Sequence, residues 1–141
     1  MKFHQLTLEI QSLFQSAVIN RAKKLNLTPG QPKILDYLEE HNGSSLSEIS
    51  RGCFLSNPTV TGLIDRMERT GLIERCHKTG DKKTNYIFLT EKGKNELKNI
   101  AEIFSDIENT ALKGLNIEEK DNFLKTLNKV KINLEEFYNE H

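Results

Sequence analysis

A helix that leads directly into two short strands limits the folds open to this chain more than any other feature. The segment from Ser56 to Gly93 reads SNPTVTGLIDRMERTGLIERCHKTGDKKTNYIFLTEKG. Its first part predicts a helix buried on one side, because apolar residues follow the i, i+3, i+4, i+7 spacing at Val60, Leu63, Ile64 and Met67. Thr70-Gly71 ends this helix, and residues 72–77 and 84–89 predict two strands joined by a turn at residues 78–83 that contains Gly-Asp. A helix that only filled a core would not need this basic hairpin after it.

Two helices are predicted near the beginning of the chain. Residues 3–24 carry apolar side chains at helical spacing. Thr28 is the expected N-cap of the second helix, and Pro29 is its expected first residue. The N–H of the first helical residue has no partner within the helix, so a proline, which lacks this N–H, fits there. The second helix is expected to stop near Gly43, a residue that commonly ends helices.

A short third helix is predicted from Ser45 or Ser47, either of which can cap it, to about Phe54. Asn57-Pro58 opens the fourth helix, which carries the apolar stripe. The third and fourth helices together predict a helix-turn-helix, and the hairpin after them is its wing. In a helix-turn-helix the second helix enters the DNA major groove.

Two further helices are predicted after the hairpin. Thr90 caps the fifth, and Asn116 and Glu119 stand in capping-box positions at the start of the sixth. The predicted fold class is therefore mainly α with a small antiparallel β hairpin (α+β), a winged helix-turn-helix with helical arms at both ends.

Positive charge is concentrated in the middle of the chain. The whole sequence has 20 Lys and Arg against 20 Asp and Glu, so its net charge indicates no partner. Residues 44–94, however, hold nine basic and six acidic side chains, whereas residues 95–141 hold six and ten. This uneven distribution favours an anionic partner for the helix-turn-helix region.

The outer face of the fourth helix is small and polar at its start and basic further along. Such a face fits the major groove, which is about 12 Å wide, with threonines against base edges and Arg66 and Arg69 at phosphates. The wing lysines can lie along a neighbouring minor groove. The predicted DNA-binding residues are Ser47, Ser56, Asn57, Pro58, Thr59, Thr61, Gly62, Arg66, Arg69, Lys78, Lys82 and Lys83.

Two other classes of function compete with DNA binding. A winged helix can act as a protein-interaction module that never meets DNA, and a polar helix face alone does not distinguish the two. The helix-turn-helix followed in order by a basic hairpin favours DNA. An enzyme has no candidate site here, because a phosphate-binding glycine loop, G-x-S-x-G and HExxH are all missing from the sequence, and no cofactor is expected.

The segments SLSEIS, NPTVTGLIDRMERTGLIER and DKKTNYIFLTEKG resemble the MarR family of winged helix-turn-helix transcriptional regulators. The third fits the wing signature Asp-x-Arg followed by Leu-Thr-x-x-Gly, with matches at Asp81, Leu89, Thr90 and Gly93. Two positions depart from the pattern. The wing arginine of the family falls on Lys83, and a basic residue often found midway in the recognition helix falls on Gly62.

The resemblance implies one domain over residues 1–141, with a DNA-binding lobe at 28–93 and dimerisation arms at 1–25 and 95–141. It implies a homodimer that binds a pseudo-palindromic operator, as a repressor released by a small, often aromatic effector. The apolar surface of the arms, larger than a winged helix alone needs to cover, also favours a dimer. The implied effector crevice between arms and lobe has the candidate lining residues Leu13, Phe14, Ala17, Ile34, Tyr37, Leu38 and Phe104, for each of which plain core packing is the alternative.

The remaining chemistry-bearing residues predict no further site. Cys53 and Cys76 have no CxxC spacing, so buried inert thiols are favoured over a disulfide, a zinc site or a redox switch. Glu40-His41 lacks a histidine partner in the fifth helix, and His77 and His141 lack evident partners, so no metal is expected. Without an apolar run of about 20 residues or a signal-peptide pattern, we expect a cytoplasmic protein with no membrane partner.

Overall fold

The computed structural model describes residues 1–140, and His141 lies outside the described residues. Within that range the chain forms six α-helices, one 3-10 turn and a three-stranded antiparallel sheet. The elements are α1 (Phe3–Ala22), the 3-10 turn (Lys23–Leu25), α2 (Gln31–Glu40), β1 (Ser44–Ser45), α3 (Leu46–Cys53), α4 (Asn57–Arg69), β2 (Ile73–Lys78), β3 (Asp81–Leu89), α5 (Glu91–Ala111) and α6 (Ile117–Glu140). The predicted fold class is confirmed, with one short strand added to the hairpin.

The start of α2 was predicted wrongly. Its N-cap is Gly30, not Thr28, and the helix begins at Gln31. Gly30 has φ of +95°, which a right-handed helix excludes, and the N–H of Gln31 donates to the carbonyl oxygen of Thr28 at 3.1 Å to close a turn. The proline that lies in the first turn of the helix is Pro32, not Pro29.

Serine caps begin both helices of the helix-turn-helix. Ser45 caps α3, with its hydroxyl oxygen accepting from the Glu48 N–H at 3.2 Å while Glu48 accepts from the Ser45 N–H at 3.0 Å. The bond that the Glu48 carboxylate accepts from the Ser45 N–H, followed by the effect of the Ser45 side chain on the same carboxylate, lowers the pKa of the Glu48 carboxyl. Ser56 caps α4 by accepting from the Thr59 N–H at 3.3 Å, so α4 begins at Asn57 as predicted. The capping box of Asn116 and Glu119 at α6 is also confirmed.

The sheet has the strand order β1-β3-β2. The wing, defined here as β2 and β3, turns at only two residues, Thr79 and Gly80, because Lys78 pairs with Asp81 across the strands. The predicted six-residue turn was therefore too long, and Gly80 provides the positive φ of +85° that the tight turn requires. β1 was missed because a Ser-Ser pair carries no apolar alternation that would predict a strand.

Three helix ends share one left-handed termination. A residue one or two positions past the helix has positive φ, and the N–H of the leucine that follows it donates to a carbonyl five residues back, as in a Schellman motif. The left-handed residues are Asn26 (φ 59°), Phe54 (φ 55°) and Gly71 (φ 80°). Gly and Asn suit this conformation, whereas a bulky side chain there costs roughly 1–2 kcal/mol.

The core holds the helix-turn-helix against the sheet and the first part of α5. From α4 it takes Val60, Ile64 and Met67, all fully buried as the stripe predicted, while Leu63 is half-buried. The chain divides into two compact units, Met1–Ile107 and the residues from Glu108 onward. The core belongs to the first unit, and α6 in the second buries none of its described side chains within the chain.

Candidate nucleic-acid interface

The burial of one side of α4 determines which residues its opposite side exposes. Because the apolar stripe packs inward, the polar residues predicted to bind DNA share one surface. All of them on this helix are exposed: Asn57, Pro58, Thr59, Thr61, Gly62, Arg66 and Arg69. The capping residue Ser56 and, on α3, Ser47 are exposed as well.

The hydroxyl groups in the first turns of α4 are already hydrogen-bonded within the protein. The hydroxyls of Ser56 and Thr59 lie 2.7 Å apart, and the Thr61 hydroxyl donates to the carbonyl oxygen of Asn57 at 2.9 Å. A hydroxyl that donates inward still has acceptor lone pairs, and threonine also has a methyl group. From this geometry, Thr61 can accept a hydrogen bond from a base or contact a thymine methyl, but it cannot donate without breaking its helix bond.

Charge on α4 is divided between paired acidic residues and unpaired arginines. Arg75 on β2 forms an ion pair with Asp65 and approaches Glu68, with Nε to Oε1 at 3.5 Å. By contrast, the guanidinium groups of Arg66 and Arg69 make no ion pair or hydrogen bond with any residue of 1–140. The negative charges of Asp65 and Glu68 are therefore partly balanced by Arg75 within the protein. The two arginines of α4 are available to an external anion.

Arg75 was missed from the sequence. The signal was present, since Asp65 and Glu68 lie one turn apart on the helix and a basic residue follows in the next strand. Recognising the pair required knowing that β2 returns alongside α4, which is a tertiary contact.

A small network orders the tip of the wing. The Asp81 carboxylate accepts from the N–H groups of Lys83 at 3.1 Å and Thr84 at 3.0 Å, and from the Tyr86 hydroxyl at 3.0 Å. The bond from the Thr84 N–H, followed by that from Tyr86, lowers the pKa of Asp81, and the bond to Asp81 raises the pKa of Tyr86. At neutral pH the carboxylate is thus charged and the phenol protonated, which keeps the network intact.

The three wing lysines differ in their surroundings. The Lys78 ammonium lies 4.1 Å from the centroid of the Tyr86 ring, a cation–π contact. The ammonium groups of Lys82 and Lys83 have no ion pair or hydrogen bond within the described part of the chain, and both residues are exposed. Lys78 belongs to β2 and not to the predicted turn, so Lys82 and Lys83 are the more accessible cations.

A cavity of about 300 Å³ lies beside the start of α4, within the first compact unit. Phe14 and Phe104 both form part of its wall, and their rings stack on each other with centroids 6.0 Å apart and planes 8° from parallel. Its other walls come from α1, the residues before and in the first turn of α2, the turn before α4, and α4: Gln11, Gln15, Val18, Ile19, Ala22, Thr28, Pro29, Gly30, Pro32, Lys33, Leu55, Thr59 and Leu63.

Most of the residues predicted to line an effector crevice do not line this cavity. Of the seven candidates, only Phe14 and Phe104 line the cavity. Two of the others, Ile34 and Leu38, are fully buried in the core because α2 packs that side on α3. The remaining three do not line it either: Leu13 is 72% exposed, Ala17 is half-buried, and Tyr37 stacks on His41.

One residue of the cavity wall has a polar group without a partner. The Thr28 hydroxyl is buried and has no hydrogen-bond partner among residues 1–140. Thr28 was expected to cap α2, but the helix begins later, and the residue forms part of the cavity wall instead. A buried polar group without a partner is costly and is satisfied by water or by a ligand.

The two cysteines have opposite environments. Cys53 is buried, its thiol lies 3.7 Å from the carbonyl oxygen of Lys33, and burial raises the pKa of the thiol to about 11. Cys76 is exposed on β2, which corrects the prediction that both thiols are buried.

Within residues 1–140 there is no group of three or more His, Cys, Asp or Glu side chains that could hold a metal ion. In the same range, all helices are too short or too polar to cross a membrane.

Comparisons with known proteins give one consistent result. Residues 27–84 match the family model described as the MarR family. The HTH-type transcriptional repressor MdtR of Bacillus subtilis is 30% identical over 91 residues, which are 62% of this chain and 59% of the relative. The match therefore spans less than two thirds of that relative's length. The uncharacterized HTH-type transcriptional regulator YkoM of the same organism is 30% identical over 114 residues, 81% of this chain and 74% of the relative.

A solved structure extends the likeness to almost the whole chain. The crystal structure of a putative MarR family transcriptional regulator from Listeria monocytogenes, complexed with 26mer DNA, has a TM-score of 0.89 and 26% identity. The matched region covers 95% of this chain and 89% of the Listeria chain.

Proposed function

This chain belongs to the MarR family of transcriptional regulators, and we propose that it binds double-stranded DNA sequence-specifically as a homodimer and represses transcription. The observation that carries the proposal is the exposed polar face of α4 with two arginines that have no partner within residues 1–140. The relative crystallised with 26mer DNA and the relative named as a repressor support it. The proposed function needs no catalytic group or cofactor, and it places the protein in the cytoplasm, where a bacterial-type regulator meets the genome.

The proposed DNA-binding lobe is residues 28–93. In it, α4 enters the major groove, Arg66 and Arg69 bind phosphates, and the first turns of α4 contact bases. The wing adds Lys82 and Lys83 beside the minor groove. Gly62 lies in the middle of the exposed face, and a Cβ added there would meet no atom within 4 Å, so the α4 backbone is open to close approach.

The proposed dimerisation arms are residues 1–25 and 95–141. Large apolar side chains that are exposed in the single chain support this assignment, since monomeric proteins rarely expose so many. On α1 they are Phe3, Leu6, Leu8, Ile10 and Leu13, and on α6 they are Phe123, Leu124, Leu127, Leu134 and Phe137. A two-fold dimer would bury them and present two α4 helices to half-sites of a pseudo-palindromic operator, about 34 Å apart.

The proposed effector site is the cavity lined by Phe14 and Phe104. Two stacked rings and a largely apolar lining suit a small aromatic compound. Thr59 and Leu63 form one wall, and both belong to α4. A ligand that moves this wall changes the position of the recognition helix, which is how we propose that binding releases DNA.

Replacing Arg66 with alanine tests the DNA-binding proposal. If its guanidinium binds a phosphate, affinity for all DNA sequences should fall alike, and the slope of log K against log salt should flatten by about one unit. Binding is measured on an operator selected from a random pool and on unrelated DNA at several salt concentrations. Lys125→Ala on α6 is the matched control, because it removes one positive charge far along the sequence from the lobe and should leave the slope unchanged.

The same titration separates DNA binding from the protein-interaction alternative. A DNA-binding protein must lose affinity steeply as salt rises, because phosphate contacts release counterions. Failure to select any DNA from the pool, with the protein folded, would favour the interaction module.

Filling the cavity tests the effector proposal. A small aromatic compound that binds should raise the melting temperature, by the equivalent of about 2.7 kcal/mol at 100 times its dissociation constant, and weaken operator binding. Ile19→Trp, which places a large ring in the cavity wall, should abolish both effects while the protein still binds DNA. Tyr37→Phe is the control, since Tyr37 lies off the cavity and the ligand should act normally on it. A ligand that acts equally on both variants binds elsewhere.

A further inference from the structure

Phe54 combines two unfavourable properties in one residue. Its backbone has φ of 55°, in the left-handed region, and its side chain is 82% exposed. Bulky residues rarely adopt positive φ, and a phenyl ring gains nothing from contact with water.

The left-handed backbone at Phe54 is required by the hydrogen bonds around it. The N–H of Phe54 donates to the carbonyl oxygen of Arg51 at 3.3 Å, and the N–H of Leu55 donates to that of Ser50 at 3.0 Å. Together these bonds form a Schellman motif that ends α3 and directs the chain into α4. A residue at this position must therefore have positive φ, whatever its side chain.

The same chain uses better-suited residues at its two other Schellman motifs. Asn26 and Gly71 occupy the equivalent position, each followed by a leucine as Phe54 is. A glycine or asparagine at position 54 would form the same turn with less strain and without an exposed ring. The phenyl group therefore has no use in the fold that the described residues form, which indicates a contact outside the chain.

The position of Phe54 indicates what that contact is. It lies in the turn of the helix-turn-helix, two residues before Ser56, the N-cap of α4. In this motif the first helix crosses the DNA backbone and the start of the second faces the base edges, so the turn between them lies at the edge of the major groove. Phe54 is thus continuous with the proposed DNA-binding surface of Ser56, Asn57 and Thr59.

We propose that Phe54 is a specificity-determining residue whose ring packs on a thymine methyl group of the operator at the edge of the major groove. A phenyl ring cannot pair with phosphate or hydrogen-bond to a base, and the apolar group that the major groove offers is the C5-methyl of thymine. The proposal rests on the proposed function, DNA binding through α4. It assigns to the turn a base preference in addition to that of the helix.

Phe54→Gly provides a test with two opposite readouts. The melting temperature should rise by about 3 °C, because the strain is removed and the turn is kept. Operator affinity should fall about tenfold, with an unchanged salt slope since no phosphate contact is lost. Phe54→Asn, which also tolerates positive φ, should behave in the same way. Asn26→Gly is the matched control for a backbone change in an equivalent turn, and it should leave operator affinity unchanged.

The base itself is identified by replacing each thymine of the selected operator with uracil, which removes only the methyl group. At one thymine per half-site, the replacement should weaken wild-type binding by several fold and have no effect on the Phe54→Gly protein. Equal losses in both proteins at every thymine, or undiminished affinity of Phe54→Gly, would overturn the proposal. A loss of affinity that accompanies dissociation of the dimer would overturn it too, by assigning the ring to a protein contact. If wild-type protein binds no operator, the proposed function itself fails, which is a distinct result.

Discussion

Replacing Leu127 and Leu134 together with lysine is expected to convert the protein into a monomer that has lost most of its specific affinity for DNA. Both leucines are about half exposed on α6 within the single chain, at 45% and 55%, so the substitutions remove little packing from the fold of one subunit. Two ammonium groups in an apolar dimer interface would, however, have to be buried without partners. Linking two half-site contacts typically multiplies affinity by about 10² to 10⁴, and the monomer should lose a factor of this size.

Sedimentation measures the loss of the dimer, and a titration of the full operator against a single half-site measures the loss of avidity. Ile132→Lys is the matched control, since Ile132 is also 45% exposed but lies roughly 150° around the helix from the two leucines. It should remain a dimer. If the double variant still sediments as a dimer, α6 does not form the interface in the way proposed.

Gly93→Ala is expected to destabilise the fold by about 3 kcal/mol, which corresponds to a fall in melting temperature of roughly 10 °C. A Cβ at position 93 would overlap the carbonyl oxygen of Leu72. That carbonyl cannot move aside easily, because it accepts from the Thr90 N–H at 3.1 Å while the Leu72 N–H donates to the end of α4 at 2.9 Å. The glycine thus allows α5 to pack directly on the junction between α4 and the wing.

Gly62→Ala is the natural comparison, because Gly62 is also a helical glycine. Nothing lies within 4 Å of a Cβ at that position, so alanine should stabilise α4 by about 0.5–1 kcal/mol. Thermal and denaturant unfolding measure the change in stability of both variants. If both alanine variants changed the free energy of unfolding by a similar amount in the same direction, the packing argument for Gly93 would be contradicted.

Local signals in the sequence predicted the parts of the fold that local chemistry determines. The stripe from Val60 to Met67 predicted the buried side of α4, and Ser45 and Asn116 cap α3 and α6 as expected. The start of α2 was misplaced because Thr28-Pro29 resembles a cap, while the positive φ of Gly30 decided the outcome. These errors are small shifts along the chain, and they did not change the fold class.

Contacts between distant segments could not be predicted in the same way. The pairing of β1 with β3 depends on backbone groups of two serines, whose side chains carry no strand pattern. The cavity is lined by residues from four separate helices, so spacing within any one helix did not reveal its walls. Ile34 and Leu38 were assigned to it because they are apolar, although their side of α2 faces the core.

Thr59 takes part in two surfaces at once. Its hydroxyl pairs with the Ser56 cap at the start of the recognition helix, and the same residue forms part of the cavity wall. Under the proposed function, a substitution that adapts this position to a new effector would also alter the first turn of α4, which we propose contacts operator bases. The effector signal could then not change at Thr59 without a change in the set of genes that respond to it. Arg66 does not line the cavity, so a substitution there can change DNA binding without changing the effector site.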